Sequence, residues 1–139
     1  MTLLKEVINS RLFTTVRDQK KLTYDATFKI EQLERHPTAW FKVQLTSSPD
    51  KVHETIKASV EVLQQIATQK ISVRELLRAK RTLLTKHESE LQKNFYWIDL
   101  LTHLQCDQVP LKTVEVLRDY KQMLTSVSVD DLYDAYSHP

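Results

Sequence analysis

The two residues best suited to chemistry are Arg17 and Tyr24, seven positions apart in the stretch SRLFTTVRDQKKLTYDATFKI. A guanidinium is always charged and offers paired donors to a peptide carbonyl or carboxylate. A phenol can donate a hydrogen bond to an oxygen on which negative charge develops. From the residues alone the ordinary roles stay open, with Arg17 on a helix surface and Tyr24 as a core aromatic.

The hydrophobic period changes between these two residues. A helical spacing comes first, in which Asn9 and Ser10 can insert a short break because both compete for backbone hydrogen bonds. Its apolar members are Leu3, Leu4, Val7, Ile8, Leu12, Phe13 and Val16. From Leu22 to Glu31 apolar and polar residues alternate, which predicts a half-buried strand that includes Tyr24. Arg17 is therefore expected on a helix that leads into the strand.

A second strand is predicted after a loop over Glu34–Thr38 that contains Pro37. Its apolar face would hold Ala39, Phe41, Val43 and Leu45, and its other face Trp40, Lys42, Gln44 and Thr46. Two neighbouring strands with a short connection should pair antiparallel. The polar face of the pair would then present Asp25, Lys29, Lys42 and Gln44.

Helices follow the strands. Ser48 and Pro49 predict a helix start, and Val52, Ile56, Val60 and Leu63 predict its buried stripe. Ser72 and Glu75 predict a capping box that opens the longest helix. Val109-Pro110 breaks the helical run, and Ser128 caps a last helix.

The predicted fold class is α+β, with an antiparallel strand pair packed by about five to six helices. Two strands are too little sheet for so much apolar helix surface, so the sheet is expected to be incomplete. We expect residues 1–139 to form one domain that is a truncated piece of a larger fold. Self-association through the incomplete sheet is one way to complete it.

Composition excludes several classes of function. The 139 residues carry a net charge of +2, too near neutral to indicate a nucleic-acid or anionic-membrane partner. No apolar run is long enough to cross a bilayer. The single cysteine, Cys106, excludes an internal disulfide framework, and the absence of glycine excludes a glycine-rich phosphate loop.

One segment comes close to a metal motif. His87-Glu88-Ser89-Glu90-Leu91 has Leu91 where an inverted zinc motif, H-x-x-E-H, needs its second histidine. The other histidines have no ligand spacing, so no metal site is predicted in this chain. Phe95, Tyr96 and Trp97 are an aromatic cluster that more often belongs to a core or interface than to a ligand cage.

The runs SRLFTTVRD and KLTYDATF resemble the C-terminal half-domains of the pitrilysin/insulinase superfamily of zinc metallopeptidases. Three later segments resemble the same half-domain in order and spacing: SSPDKVHETIKASVEVL, RELLRAKRTLLTKHESEL and VSVDDLYDAY. The resemblance covers nearly all of the chain. It is greatest to the branch that trims transit peptides in the plastid stroma.

This resemblance implies a division of labour between two half-domains that enclose an extended peptide. The other half binds zinc, in the same or another chain, and this half supplies Arg17 and Tyr24 to hold the substrate and stabilise the tetrahedral intermediate. It implies no cofactor here, no activity alone, and a location in the plastid stroma, with the mitochondrial matrix or cytoplasm as alternatives. A non-catalytic structural subunit is the alternative function. Lys21 and Asp50 stand where the superfamily usually has glycine.

Overall fold

The computed structural model describes residues 2–33, 38–69, 71–104 and 114–137. It begins with α1 (Thr2–Leu12), which continues into a π-helix (Phe13–Gln19). Two strands follow, β1 (Asp25–Leu33) and β2 (Thr38–Thr46), and then a 3-10 turn (Pro49–Lys51). The remaining helices are α2 (Val52–Thr68), α3 (Val73–Glu90), α4 (Asn94–Leu104), α5 (Val114–Ser126) and α6 (Val129–Ser137).

The α+β prediction, with an antiparallel strand pair and about five to six helices, is confirmed, since the described residues form two paired strands and six α-helices. The register pairs Phe28 with Val43 and Lys29 with Lys42. The predicted loop over Glu34–Thr38 lies outside the described residues except for Thr38, which opens β2. The predicted break at Val109-Pro110 and the residue Cys106 also lie outside them.

Helix α1 is the centre of the core and contacts β1, α2 and α3. Most of its predicted apolar face is buried, and Leu12 and Val16 of the following π-helix are both inaccessible to solvent, but Phe13 is 41% exposed. The predicted break at Asn9 and Ser10 is absent, because the Asn9 side chain bonds a strand and leaves its own helix intact. Asn9 Nδ2 donates to the Phe28 carbonyl at 3.0 Å, and the Phe28 N–H donates to Asn9 Oδ1 at 2.7 Å.

The predicted buried stripe of α2 is wrong at three of its four residues, and only Leu63 packs, partly buried, against the core. Val52, Ile56 and Val60 are exposed, and the helix instead buries Thr55, Ala58, Ser59, Val62 and Ile66. The Thr55 hydroxyl lies 3.1 Å from the Leu22 carbonyl and 2.8 Å from the Lys51 carbonyl. A buried carbonyl is costly without a partner, so these contacts favour the rotation of α2 that turns Thr55 inward.

The capping box that opens α3 is confirmed. The Glu75 N–H donates to Ser72 Oγ at 3.2 Å, and the Ser72 N–H donates to Glu75 Oε2 at 2.8 Å. The helix ends at Glu90, and a new helix starts at Asn94 after a turn. On α4 the side chains of Phe95, Ile98 and Leu101 are exposed.

Candidate functional site

Arg17 lies on the π-helix, which places its side chain in solvent. The wider turn is visible in the bond from the Lys20 N–H to the Thr15 carbonyl, five residues back, at 3.1 Å. Single turns of this kind occur frequently at functional sites. The Arg17 guanidinium carbon lies 4.5 Å from the centroid of the Phe13 ring, a cation–π contact.

The π-helix closes through Lys21 in a left-handed conformation. The Lys21 N–H donates to the Arg17 carbonyl at 3.1 Å, and the Leu22 N–H donates to the Val16 carbonyl at 3.0 Å. This nested pair is a wider form of the helix end that glycine usually supplies. Lys21 has φ of 52°, which costs a residue with a Cβ atom about 1–2 kcal/mol. A lysine thus occupies the turn for which the superfamily pattern predicts glycine.

Tyr24 lies outside the strand that was expected to include it. Strand β1 begins at Asp25, and the Tyr24 side chain is 80% exposed, so the core-aromatic reading is wrong. The side chain of Thr23 is buried instead. The backbone of Tyr24 is nevertheless fixed, because its N–H donates to the Thr46 carbonyl at the end of β2 at 3.0 Å.

A group of hydroxyls anchors the segment between Arg17 and Tyr24. Ser47 Oγ donates to the Leu22 carbonyl at 2.7 Å and lies 2.9 Å from Thr55 Oγ1. Thr23 Oγ1 lies 2.7 Å from the Thr46 carbonyl and 2.6 Å from the Asp25 carbonyl. The sequence reasoning missed these residues, although a threonine or serine on the inner side of an amphipathic element is the signal that marks such an anchor.

The two predicted site residues flank one anchored turn, and the Arg17 guanidinium has the Phe13 ring beside it. Within the described ranges, no hydrogen bond or ion pair involves the Arg17 guanidinium or the Tyr24 hydroxyl. Neither a hydrogen bond nor a cation–π contact joins the two side chains in that part of the chain. Both groups are therefore available as donors to a bound molecule.

The polar face of the strand pair forms as predicted. Asp25, Lys29, Lys42 and Gln44 are all exposed on it. Lys29 and Lys42 are direct cross-strand neighbours, an arrangement of like charges that is unfavourable. Lys42 has partial compensation, since its Nζ lies 3.8 Å from Glu31 Oε1 and 5.5 Å from the Trp40 ring centroid.

His87 on α3 makes ring contacts with two tyrosines on neighbouring helices. Its ring centroid lies 4.2 Å from that of Tyr120 on α5 and 6.4 Å from that of Tyr96 on α4. Burial raises the pKa of both tyrosines above the ordinary value. Across the described ranges, no group of three or more metal-ligating side chains lies close enough to hold an ion.

Comparison with known proteins adds a family and a fold. Residues 1–83 match the family described as the peptidase M16 inactive domain. The chain is 46% identical over 138 residues to a chloroplastic stromal processing peptidase of Oryza sativa subsp. indica, and 44% identical over 137 residues to that of Arabidopsis thaliana. In both cases the match covers 99% of this chain but 11% of the relative's length.

Two solved structures share the fold at low sequence identity. The periplasmic protease PqqL from Escherichia coli superimposes with a TM-score of 0.74 at 15% identity, over 99% of this chain and 15% of that one. A protease from Helicobacter pylori superimposes with a TM-score of 0.68 at 18% identity, over 96% of this chain and 34% of that one. No helix within the described residues is both long and apolar enough to span a membrane.

Proposed function

Since the chain belongs to the M16 peptidases and matches their inactive domain, we propose that it is the non-zinc-binding half of a zinc metalloendopeptidase. The described residues offer no set of zinc ligands, so the metal and the general base are assigned to a separate half-domain. That half lies in the same or another chain. The present half is expected to be inactive alone.

The exposed pair Arg17 and Tyr24 is the observation that supports this role. Both side chains point their donors to solvent, while the backbone between them is held by the Leu22 and Thr46 carbonyl bonds. A donor on a fixed backbone needs little reorganisation when charge develops on a substrate. Arg17 holds the peptide backbone of the substrate, and Tyr24 donates to the oxyanion of the tetrahedral intermediate.

The polar face of the strand pair forms part of the chamber wall in this proposal. Asp25, Lys29, Lys42 and Gln44 are exposed and carry both charge signs. Side chains of this kind bind an extended peptide through its backbone and polar groups, and they leave the sequence of that peptide largely unspecified.

The relatives support a proposal for the substrate class and the location. The similar proteins of rice and Arabidopsis are named chloroplastic stromal processing peptidases. We therefore assign the chain to the plastid stroma and its substrates to transit or presequence peptides. Because the chain spans 11% of those relatives, this assignment concerns the complete enzyme.

The direct test is Tyr24→Phe in the enzyme assembled with its zinc-binding half. Loss of one oxyanion donor lowers kcat by about 10²–10³-fold, while the folded state is unaffected because Tyr24 is 80% exposed. Tyr133→Phe on α6 is the control, since the Tyr133 hydroxyl has only a long 3.5 Å contact with the Ala67 carbonyl. Unchanged kcat in Tyr24→Phe would sink the assigned role.

A further inference from the structure

Thr23 is a buried polar residue directly before the exposed Tyr24. Its side chain has only 7% of its surface accessible, and its hydroxyl contacts backbone groups on both strands. Thr23 Oγ1 lies 2.7 Å from the Thr46 carbonyl and 2.6 Å from the Asp25 carbonyl, and its one hydrogen can go to either. The same oxygen accepts the Asp25 N–H at 3.2 Å.

The backbone departs from strand alternation at this hydroxyl. Phe28 directs its N–H to Asn9, away from β2. Successive residues of a strand alternate, so a regular continuation would direct the Tyr24 N–H away from β2 as well. The Tyr24 N–H instead donates to Thr46 on β2 at 3.0 Å. The chain is therefore turned between Thr23 and Asp25.

The turn has a consequence for the side chain of Tyr24. Ala26 and Phe28 are buried on the apolar face, and strict alternation would place Tyr24 beside them. A local irregularity at a strand end is a recurrent way to redirect a side chain near an active site. The Thr23 hydroxyl accepts a hydrogen bond from the Asp25 N–H and donates one to the Asp25 or the Thr46 carbonyl. These bonds replace the strand-to-strand hydrogen bonds that the turn removes.

We propose that Thr23 is the positioning residue that directs Tyr24 out of the apolar face and towards substrate. The proposal rests on the proposed function in one respect, namely that Tyr24 contacts the substrate. Thr23 itself touches no substrate. Ser47 and Thr55 support the same turn through the Leu22 carbonyl, at 2.7 and 3.1 Å.

The test compares Thr23→Val with Thr23→Ser in the assembled enzyme. Valine keeps the shape of threonine but removes the hydroxyl, whereas serine retains it. Thr46→Val is the matched control, because that substitution leaves the Thr46 carbonyl in place and no hydrogen bond of the Thr46 side chain is found within the described residues. The measurements are amide hydrogen exchange over segment 22–28, and kcat and KM on a peptide substrate.

In Thr23→Val, amide exchange over segment 22–28 should accelerate about ten- to a hundredfold, as expected when a buried hydrogen bond is lost. A misplaced Tyr24 should lower kcat about ten- to a hundredfold with KM within about twofold, because the lost contact acts in the transition state. Thr23→Ser should restore both values to within about threefold of the parent.

Unchanged exchange in Thr23→Val overturns the positioning role, even if Tyr24→Phe is impaired and the proposed function stands. Accelerated exchange with unchanged kcat also overturns it, because the turn would then have no effect on catalysis. Unchanged kcat in Tyr24→Phe is a separate result that contradicts the proposed function. Should Thr23→Val fail to fold, Thr23→Ala removes the hydroxyl without added bulk and is judged by the same outcomes.

Discussion

Helices α1 and α2 pack against each other, yet their sequences relate to burial in opposite ways. On α1 the largest aliphatic side chains face the core, and Ile8 is only 2% exposed. On α2 the stripe Val52, Ile56 and Val60 faces outward, and Ile56 is 50% exposed. Each helix has an apolar stripe at helical spacing, but only one of the two stripes is the inner face.

The difference follows from what each helix contacts. Helix α1 lies against an apolar strand face and meets it mainly with large aliphatic side chains, beside the hydrogen bonds of Asn9 to Phe28. Helix α2 lies beside the turn before Tyr24, whose Leu22 carbonyl accepts bonds from Ser47 and Thr55. Ala58 and Ser59 are small enough to let α2 lie close to the elements that it packs against. Ser59 Oγ donates to the Thr55 carbonyl at 2.8 Å. A periodic stripe therefore identifies a helix, while buried polar groups decide how it is rotated.

The strongest test of this difference is the same substitution, isoleucine to alanine, on each of the two helices. Ile8→Ala should lower the free energy of unfolding by about 2–5 kcal/mol, because it leaves a cavity in the core. Ile56→Ala should change it by less than about 0.5 kcal/mol. Urea unfolding of the two variants measures both values. An equal loss from the two variants would contradict the burial of these helices.

Thr55→Val tests whether a hydroxyl sets the rotation of α2. The change should lower the free energy of unfolding by about 1–3 kcal/mol, because the Leu22 and Lys51 carbonyls lose their contacts with this buried hydroxyl and only Leu22 keeps Ser47 as a donor. Thr68→Val is the control on the same helix, since that exposed hydroxyl has only 3.4 Å contacts. Equal unfolding midpoints in urea for Thr55→Val and the parent would show that apolar packing alone orients α2.

The smallest expected effect concerns ion pairs at the two helices. Arg11 of α1 lies 2.6 Å from Glu75, whereas Lys20 lies 3.3 Å from Glu61 of α2. The hydrogen bond from Arg11 lowers the pKa of Glu75 from 4.5 to about 2, with help from the Ser72 bonds. The carboxylate of Glu75 therefore stabilises the fold above pH 4.5, and this contribution is lost as the pH falls towards 2.

Glu75→Gln keeps a capping group and removes the charge. It should lower the free energy of unfolding at pH 7 by about 1–2 kcal/mol, a value reduced by partial exposure to solvent. It should also flatten the loss of stability between pH 4.5 and 2. Glu61→Gln should keep that slope and cost about 0–1 kcal/mol. Acid titration of the unfolding midpoint separates the two, and matching slopes in both variants would refute the Glu75 assignment.

Sequence reasoning succeeded where one physical signal dominates. The period-2 pattern predicted both strands and their polar face, and the capping box at Ser72 was recognised from two residues. The resemblance singled out Arg17 and Tyr24, which are exposed at one junction. Sequence reasoning failed where backbone hydrogen bonds determine the local conformation. The π-helix over Phe13–Gln19, the left-handed Lys21 and the turned Tyr24 leave no periodic pattern in the sequence. The prediction of which face of α2 is buried failed for the same reason.

Asn9 also bears on how the protein behaves at high concentration. An unpaired strand edge is a template for aggregation, and among the described residues β1 pairs only with β2, on one side. The Asn9 amide occupies both backbone groups of Phe28 near the middle of the other side. An intruding strand must first displace that amide, so β1 carries its own protection against fibre-like growth. Intermolecular strand pairing is therefore directed to β2, beside the exposed Phe41.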